Sequence, residues 1–202
     1  MSALLNAKQV TFQRHGDNVF DPVDLTLNAG EATVILGPNG SGKTTLLRLL
    51  AGILKPASGQ LERQGATAFL GHLPALKGEL TCRENLEFLR RFHGAGNGLP
   101  TSQALARVGL AGLGLRPARA LSAGQKRRLG LAGLLVAPRP IWLLDEPYAS
   151  LDDAGCQLVD RLLEQQLANG GTVALSTHQH KPLLDRAFAS LTVRPARRPE
   201  AA

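Results

Sequence analysis

Short apolar runs alternate with amphipathic stretches along most of the chain. Several of these runs are continuously apolar, which is typical of parallel strands that are covered by helices on both faces of a sheet. We therefore predict an α/β fold. The predicted strands lie at residues 10–14, 25–27, 33–36, 66–71, 141–144, 172–176 and 190–193.

The strand pattern stops between residues 81 and 133, where three helix-compatible runs take over, at 84–92, 101–110 and 125–136. Glycine-rich and proline-containing segments separate these runs. We predict a single domain in which an all-helical insert (79–133) interrupts an α/β core (1–78 and 134–193). The tail, 194–202, is rich in proline and arginine and is expected to be disordered.

Composition excludes several classes of protein. With 202 residues, 44% of them hydrophobic, the chain can bury a core without disulfides or a structural metal. Its two cysteines, Cys82 and Cys156, form no CxxC pattern, so a disulfide scaffold, a zinc ribbon and an iron–sulfur site are not expected. The sequence shows no apolar run of the roughly 18 to 20 residues that a membrane-spanning helix needs and no secretory signal, so we expect a cytosolic location.

A glycine-rich loop follows the apolar strand at 33–36 and precedes a helical run, and it fits the pattern G-x-x-x-x-G-K-[ST]. Glycines let the backbone wrap around phosphates, while the helix N-terminus supplies positive potential. The lysine would reach the terminal phosphates and the first threonine would ligate Mg²⁺. The predicted phosphate-binding residues are Gly37, Pro38, Asn39, Gly40, Ser41, Gly42, Lys43, Thr44 and Thr45.

Two carboxylates end the apolar strand at 141–144. Asp145 is expected to hold Mg²⁺ together with Thr44, because such loops need a carboxylate from a neighbouring strand. Glu146 is expected to point the other way by strand alternation and to polarise the water that attacks the γ-phosphate. The pair therefore predicts two separate roles, a metal ligand and a general base.

A second candidate phosphate-binding end lies at residues 121–125, where a small polar segment precedes an amphipathic helical run. A serine can cap that helix, and the free N–H groups around the glycine can bind an anion. An ordinary capped helix start is the alternative. The candidate residues are Ser122, Ala123, Gly124 and Gln125.

Five segments, in their order along the chain, resemble the motifs of ABC ATPases. The resemblance implies a P-loop ATPase core with a β subdomain and an inserted helical signature subdomain. It also implies ATP bound with Mg²⁺ between two copies of the chain arranged head to tail, with Glu146 and His178 as catalytic residues. The segments are 37–45 (Walker A), 121–125 (LSAGQ signature), 141–146 (Walker B), 150–152 (D-loop) and 176–178 (switch histidine).

Within that family, the chain most resembles the ATP-binding subunits of the heme exporters of cytochrome c maturation. Small size, the GHLP segment at 71–74 followed by LKGELTCRENL, the alanine form LSAGQ and the STHQ segment at 176–179 carry this resemblance. It implies a peripheral ATPase on the cytoplasmic face of the inner membrane. Its partners would be multi-pass membrane subunits, and its turnover would power heme export or the release of a heme-loaded chaperone.

Two positions depart from the family pattern. Leu73 stands where the resemblance implies a glutamine that contacts Mg²⁺ or water, and leucine can do neither. His72 is expected to project differently if the preceding strand runs to Gly71, and we expect Leu73→Gln to raise coupled ATPase activity. The residue that stacks on adenine is left open among Phe12, Arg14 and His15.

The net charge of +7 is concentrated in the helical insert, which holds nine basic and three acidic residues. These cations face either phosphate and a membrane partner or simply solvent. Three alternatives stay open: an ABC ATPase for another cargo, a soluble nucleic-acid-associated ABC protein and a small metabolite kinase. Nucleic acid is not expected, because there is one cassette and only 4% aromatic residues. A kinase leaves the LSAGQ and D-loop segments unexplained.

Overall fold

A five-stranded parallel sheet forms the centre of the molecule in the computed structural model, which describes residues 2–94, 97–177 and 189–196. The strands are β5 (Ala32–Leu36), β7 (Thr67–Leu70), β8 (Ile141–Asp145), β9 (Thr172–Ser176) and β10 (Ala189–Thr192). Their order in the sheet is β10-β5-β9-β8-β7. The three inner strands, β5, β9 and β8, are almost entirely buried, as is typical of parallel strands covered on both faces.

A smaller antiparallel sheet packs beside the parallel sheet, and a two-stranded hairpin extends from it. These elements are β1 (Ala3–Thr11), β2 (Gln13–Arg14), β3 (Asp17–Asn18), β4 (Val23–Asn28) and β6 (Ser58–Arg63). The sheet has the order β4-β1-β6, and β2 and β3 form the hairpin. Strand β4 alternates buried and exposed residues, as expected of a sheet with one face on the core.

Five α-helices and one 3₁₀ turn complete the described fold, and two of the helices and most of a third lie in the predicted insert. Thr81 and Ser122 each start a helix with a capping box, in which the cap and the third helical residue bond to each other's backbone N–H groups. The helices are α1 (Lys43–Leu50), α2 (Cys82–Phe92), α3 (Thr101–Arg107), α4 (Ala123–Val136) and α5 (Asp153–Ala168), and the 3₁₀ turn is Ala118–Ala120.

Two buried clusters divide the core between them. One joins the antiparallel sheet, α1 and one face of the parallel sheet. The other joins the helical insert, α5 and the other face, so the parallel sheet is covered on both sides as its sequence predicted. The α/β prediction is therefore confirmed.

Several sequence predictions of element bounds are wrong. The predicted boundary between the insert and the core, after Gly133, falls inside α4, which continues to Val136. Residues 194–196 are not a free tail, because the Asp21 N–H donates to the Arg194 carbonyl at 3.1 Å. Strand β6 and the first part of β1 were not predicted. Among the described residues, no helix has the length and apolar character needed to cross a bilayer.

Candidate functional site

The glycine-rich loop connects the buried strand β5 to helix α1 and has almost no room for side chains. Gly37, Gly40 and Gly42 have φ of 145°, 79° and 99°, a region that L-residues other than glycine rarely adopt. A Cβ at Gly37 would lie 2.6 Å from the Ser41 Oγ, and one at Gly42 would lie 2.8 Å from the buried ring of Phe20. The loop backbone is therefore tightly packed, with the Phe20 ring directly against it.

Lys43 is the first residue of α1, and its ammonium group lies over the loop. Its Nζ donates hydrogen bonds to the carbonyls of Gly37 and Pro38, at 2.8 and 3.0 Å. The first turn of α1 contains no acidic residue, and Gly42 supplies no side-chain cap. The N–H groups of that turn and the lysine charge thus form a positive, anion-binding end.

Asp145 ends strand β8 beside the start of α1. One carboxylate oxygen accepts a hydrogen bond from the Thr44 Oγ1 at 2.8 Å, and the other accepts one from the Ser176 Oγ at 2.7 Å. Asp145 and Ser176 are register partners on adjacent parallel strands, which brings the two side chains together. Thr44 and Asp145 therefore offer hard oxygen donors side by side, the donor set that Mg²⁺ accepts together with phosphate oxygens.

Glu146 follows the strand instead of belonging to it. Its φ is 52°, a left-handed conformation that costs a residue with a side chain about 1 kcal/mol or more. The Glu146 N–H donates to the Ser176 Oγ at 3.1 Å. The prediction that strand alternation points Glu146 away from Asp145 is therefore wrong. A sharp turn at Glu146 places both residues in the lining of the same cavity.

Arg127, on α4, supports the two carboxylate residues from behind and was missed as a site residue. It is only 2% exposed. Its Nη1 donates to the Gly71 carbonyl at 2.6 Å, and its Nη2 donates to the carbonyls of Asp145, at 2.7 Å, and Glu146. Burial lowers the pKa of Arg127 to about 10, against the raising effect of the Asp145 and Glu146 charges, so it stays cationic at neutral pH.

These elements surround an open cavity of about 480 Å³. His72 lines it, because strand β7 ends at Leu70 and the chain then turns. Leu73 is 82% exposed and is not part of the lining, so His72 and not the neighbouring residue faces the site. The lining residues are Arg14, Val19, Asn39, Gly40, Gly42, Lys43, Thr44, Thr45, His72, Asp145 and Glu146.

Of the three candidates for stacking on adenine, only Arg14 lines this cavity. Phe12 is half-buried and packs against the core cluster of the antiparallel sheet, and His15 is exposed at the tip of the hairpin. Arg14, in β2, and Val19, just after β3, bring this part of the chain to the cavity. We therefore expect the base to lie against Arg14.

The segment 121–125 lies on a different surface, which we call the signature surface. Ser122 caps α4 through a bond from the Gln125 N–H at 3.2 Å, and the Gln125 side chain accepts from the Ser122 N–H at 3.0 Å. A Cβ at Gly124 would lie 2.7 Å from the Ser150 carbonyl, so this helix start packs directly on the loop 150–152. A cavity of about 370 Å³ on this surface is lined by Gly109, Leu110, Ser122, Gly124, Gln125, Arg128, Ser150, Leu151 and Asp152.

The structure thus gathers the predicted site residues into two groups. The first cavity contains Asp145, Glu146 and most of the glycine-rich loop, and the second contains most of the segment 122–125 together with the loop 150–152. Of the predicted site residues that the structure describes, four are in neither lining: Gly37, Pro38, Ser41 and Ala123. The two linings share no residue. His178 lies outside the described residues, and its role stays a prediction.

Comparisons with known proteins identify the family. Residues 20–149 match the family model described as "ABC transporter". The chain is 47% identical over 185 residues to the cytochrome c biogenesis ATP-binding export protein CcmA of Xanthomonas oryzae pv. oryzae, covering 87% of this chain and 86% of the relative. It is 46% identical over 188 residues to the protein of the same name from Paramagnetospirillum magneticum, covering 86% and 87%.

A solved structure titled "Structure of ATP binding subunit of ABC transporter" is also similar, with a TM-score of 0.79 at 25% identity over 87% of this chain and 80% of the other. The predicted fold, the ATP-binding site class and the ATP-hydrolysing activity are in line with these relatives. The chain therefore belongs to the ABC transporter family of ATPases and, within it, to the CcmA group.

Proposed function

We propose that two copies of this chain bind ATP between them, head to tail, and that hydrolysis powers a membrane complex that exports heme or releases a heme-loaded chaperone for cytochrome c biogenesis. The dimer is supported by one observation: the phosphate-binding cavity and the signature surface lie apart on a single copy of the chain. The phosphate loop and the carboxylates share one cavity, whereas the signature surface has no lining residue in common with it. A second copy would supply each cavity with the missing half.

The chain's own groups support a defined division of labour for hydrolysis. Lys43 and the α1 N-terminus would bind the β- and γ-phosphates, because both are positive and both lie at the glycine-rich loop. Thr44 and Asp145 would hold Mg²⁺, which, when bound, neutralises charge on the phosphates. Glu146 would take the proton of the attacking water, and His178 would contact the γ-phosphate.

The signature surface suits the phosphates of the opposite copy. The start of α4 is capped by neutral groups, the Ser122 hydroxyl and the Gln125 amide, and its first turn contains no acid. Unlike a carboxylate, these groups leave the positive helix end unneutralised. The salt bridge at 2.7 Å between Arg128 and Asp152 holds the helix and the loop 150–152 as one surface.

An apolar exposed face supports a protein partner. Phe88 and Phe92 on α2 are 46% and 73% exposed, and their rings stack with centroids 5.9 Å apart. Lys77 lies over the Phe88 ring at 4.8 Å. We assign this face to the multi-pass membrane subunits, which would hold the ATPase on the cytoplasmic face of the inner membrane.

Glu146→Gln tests the hydrolytic proposal directly. The amide keeps the shape of the side chain but cannot accept the proton, so ATP should bind and stay unhydrolysed. We expect the variant to form a stable ATP-bound dimer in light scattering, while the wild-type chain dimerises only transiently. A variant that hydrolyses ATP at the wild-type rate, or that stays monomeric with saturating ATP and Mg²⁺, contradicts the proposal.

The cargo is tested in cells that lack the chain. Wild-type protein should restore holo-cytochrome c, measured by heme staining, and should copurify with multi-pass membrane subunits. Glu146→Gln should copurify with the same subunits but fail to restore holo-cytochrome c. Normal holo-cytochrome c without the chain would show that the ATPase serves another cargo.

A further inference from the structure

Arg127 is a buried cation that the phosphate-binding and signature motifs do not explain. A charged side chain that is 2% exposed is costly to bury unless its hydrogen bonds are satisfied. All three of its described bonds go to backbone carbonyls, those of Gly71, Asp145 and Glu146. A guanidinium is suited to this, because its planar fork holds several donors at fixed angles.

The three carbonyls belong to the two segments that carry chemistry in the cavity. Gly71 immediately precedes His72, and the other two carbonyls belong to Asp145 and Glu146 themselves. The side chains of His72, Asp145 and Glu146 all line the cavity. One side chain thus connects the end of β7 to the end of β8, two adjacent parallel strands, at the point where both strands give way to functional residues.

The Asp145–Glu146 peptide is restrained from the other side as well. The Ser176 Oγ, on β9, accepts the Glu146 N–H and donates to the Asp145 carboxylate. Glu146 holds a left-handed backbone conformation, which persists in proteins only where the surroundings fix it. Arg127 and Ser176 hold the peptide from two sides, and the Ala149 N–H also donates to the Glu146 carbonyl at 3.1 Å.

We propose that Arg127 is a positioning residue of the hydrolytic site, holding Glu146 and the His72 segment in the geometry that hydrolysis needs and connecting them to helix α4. Arg127 lies on the helix that begins at the signature surface, five residues after Ser122 and about 7.5 Å along the helix axis. A movement of the signature surface would therefore be transmitted through about one and a half turns of α4 to the carboxylate residues of the same chain. The inference rests on the proposed function, because it concerns the same site.

The test compares Arg127→Met and Arg127→Lys in the full chain assembled with its membrane subunits. Methionine has a similar length but no donors, and lysine keeps the charge but lacks the fork. We expect Arg127→Met to lower kcat about 100-fold, since small misplacements of catalytic groups have effects of that order. The affinity for a fluorescent ATP analogue should change less than threefold, because Lys43 and the loop are untouched. Arg127→Lys should recover part of kcat.

Arg63→Met is the matched control. The Arg63 guanidinium also binds two backbone carbonyls, those of Leu49 and Leu50 at the end of α1, but none at the carboxylates. It should lower the melting temperature and leave kcat per folded chain unchanged. If Arg127→Met behaves in the same way, Arg127 has only a structural role and the inference is overturned. A parallel fall of nucleotide affinity and kcat would overturn it too.

A double-mutant cycle keeps the inference testable should Arg127→Met fail to fold. Ser176→Ala and Arg127→Lys remove restraints on the same peptide, so their effects on kcat should not add. Strict additivity overturns the inference. Loss of the proposed function would appear differently, as a wild-type complex without ATPase activity or a Glu146→Gln variant that is fully active.

Discussion

Two helix starts in this molecule use the same hydrogen-bonded box with different chemistry. At α2, Thr81 is paired with Glu84, whose carboxylate accepts the Thr81 N–H at 2.8 Å. At α4, Ser122 is paired with Gln125, whose amide oxygen accepts the Ser122 N–H at 3.0 Å. The geometry is alike, but one box places a negative charge on the positive helix end and the other does not.

The difference separates a helix start that only stabilises the fold from one that can receive an anion. Hydrogen bonds from the Thr81 backbone and side chain lower the pKa of Glu84, so this box keeps its charge at neutral pH. A phosphate approaching α2 would meet that charge, whereas one approaching α4 meets amide and hydroxyl groups and an Asp152 carboxylate that is paired with Arg128. The start of α1 is a third case, because it carries Lys43 and has no side-chain cap.

The largest expected effect concerns the α1 cavity. Lys43→Ala removes the ammonium group, and a charge-assisted hydrogen bond contributes about 1.5–3 kcal/mol, so ATP affinity should fall by about 100-fold. The fall should appear in a single copy of the chain, measured by equilibrium binding below the dimerisation concentration. Unchanged affinity would show that the loop backbone alone binds the nucleotide.

Gln125→Glu gives α4 the chemistry of α2. A carboxylate facing the phosphates of the opposite copy should lower ATPase activity about 30-fold, because like charges repel across an interface. The same carboxylate favours the helix start by about 0.3–1 kcal/mol, so the melting temperature should not fall. ATP affinity of a single copy should also be unchanged. Full activity would show that this helix end does not face phosphate.

His72→Ala tests which residue of the segment after β7 acts in the cavity. His72 lines the cavity and Leu73 is exposed, so losing the imidazole should lower kcat about 10-fold, the value of one hydrogen bond. Leu73→Gln should raise the coupled rate by a smaller factor. Steady-state ATPase assays of the assembled complex measure both. If His72→Ala leaves the rate unchanged and Leu73→Gln raises it strongly, position 73 and not His72 is the one that acts in the cavity.

Glu84→Gln is the converse exchange at α2 and should have the smallest effect. ATPase activity should be unchanged, because this helix start is not among the residues lining either cavity. The pKa of Glu84 is lowered in the folded chain, so its stabilisation is present at neutral pH and is lost as the pH falls through that pKa. The difference in melting temperature between wild type and variant should therefore shrink in acid. A constant difference would contradict the charge argument.

Much of the site could be predicted from the sequence, because its parts are local motifs on regular elements. The strand–loop–helix at 33–50 and the carboxylates after 144 needed only hydrophobic runs and spacing. The ABC family and the CcmA resemblance are confirmed by the relatives. Strand β6 was missed because its residues, SGQLER, are mostly exposed and polar and carry no apolar run.

Arg127 could not be predicted, because the sequence KRR suggests a solvated basic run. Its burial depends on long-range packing that brings α4 behind the ends of β7 and β8. The turn at Glu146 was missed for a related reason, since a left-handed conformation at a residue with a side chain leaves no local pattern. The sequence also left Phe12 open as a residue that stacks on adenine, but its side chain packs against the core.

The contact between Gly42 and Phe20 joins the glycine-rich loop to the buried core. Phe20 is fully buried directly behind the loop, and it follows Val19, which lines the cavity. A Cβ at Gly42 would lie only 2.8 Å from the Phe20 ring. A change of ring size at Phe20, a residue outside the cavity lining, would therefore displace the loop backbone and weaken triphosphate binding from a distance.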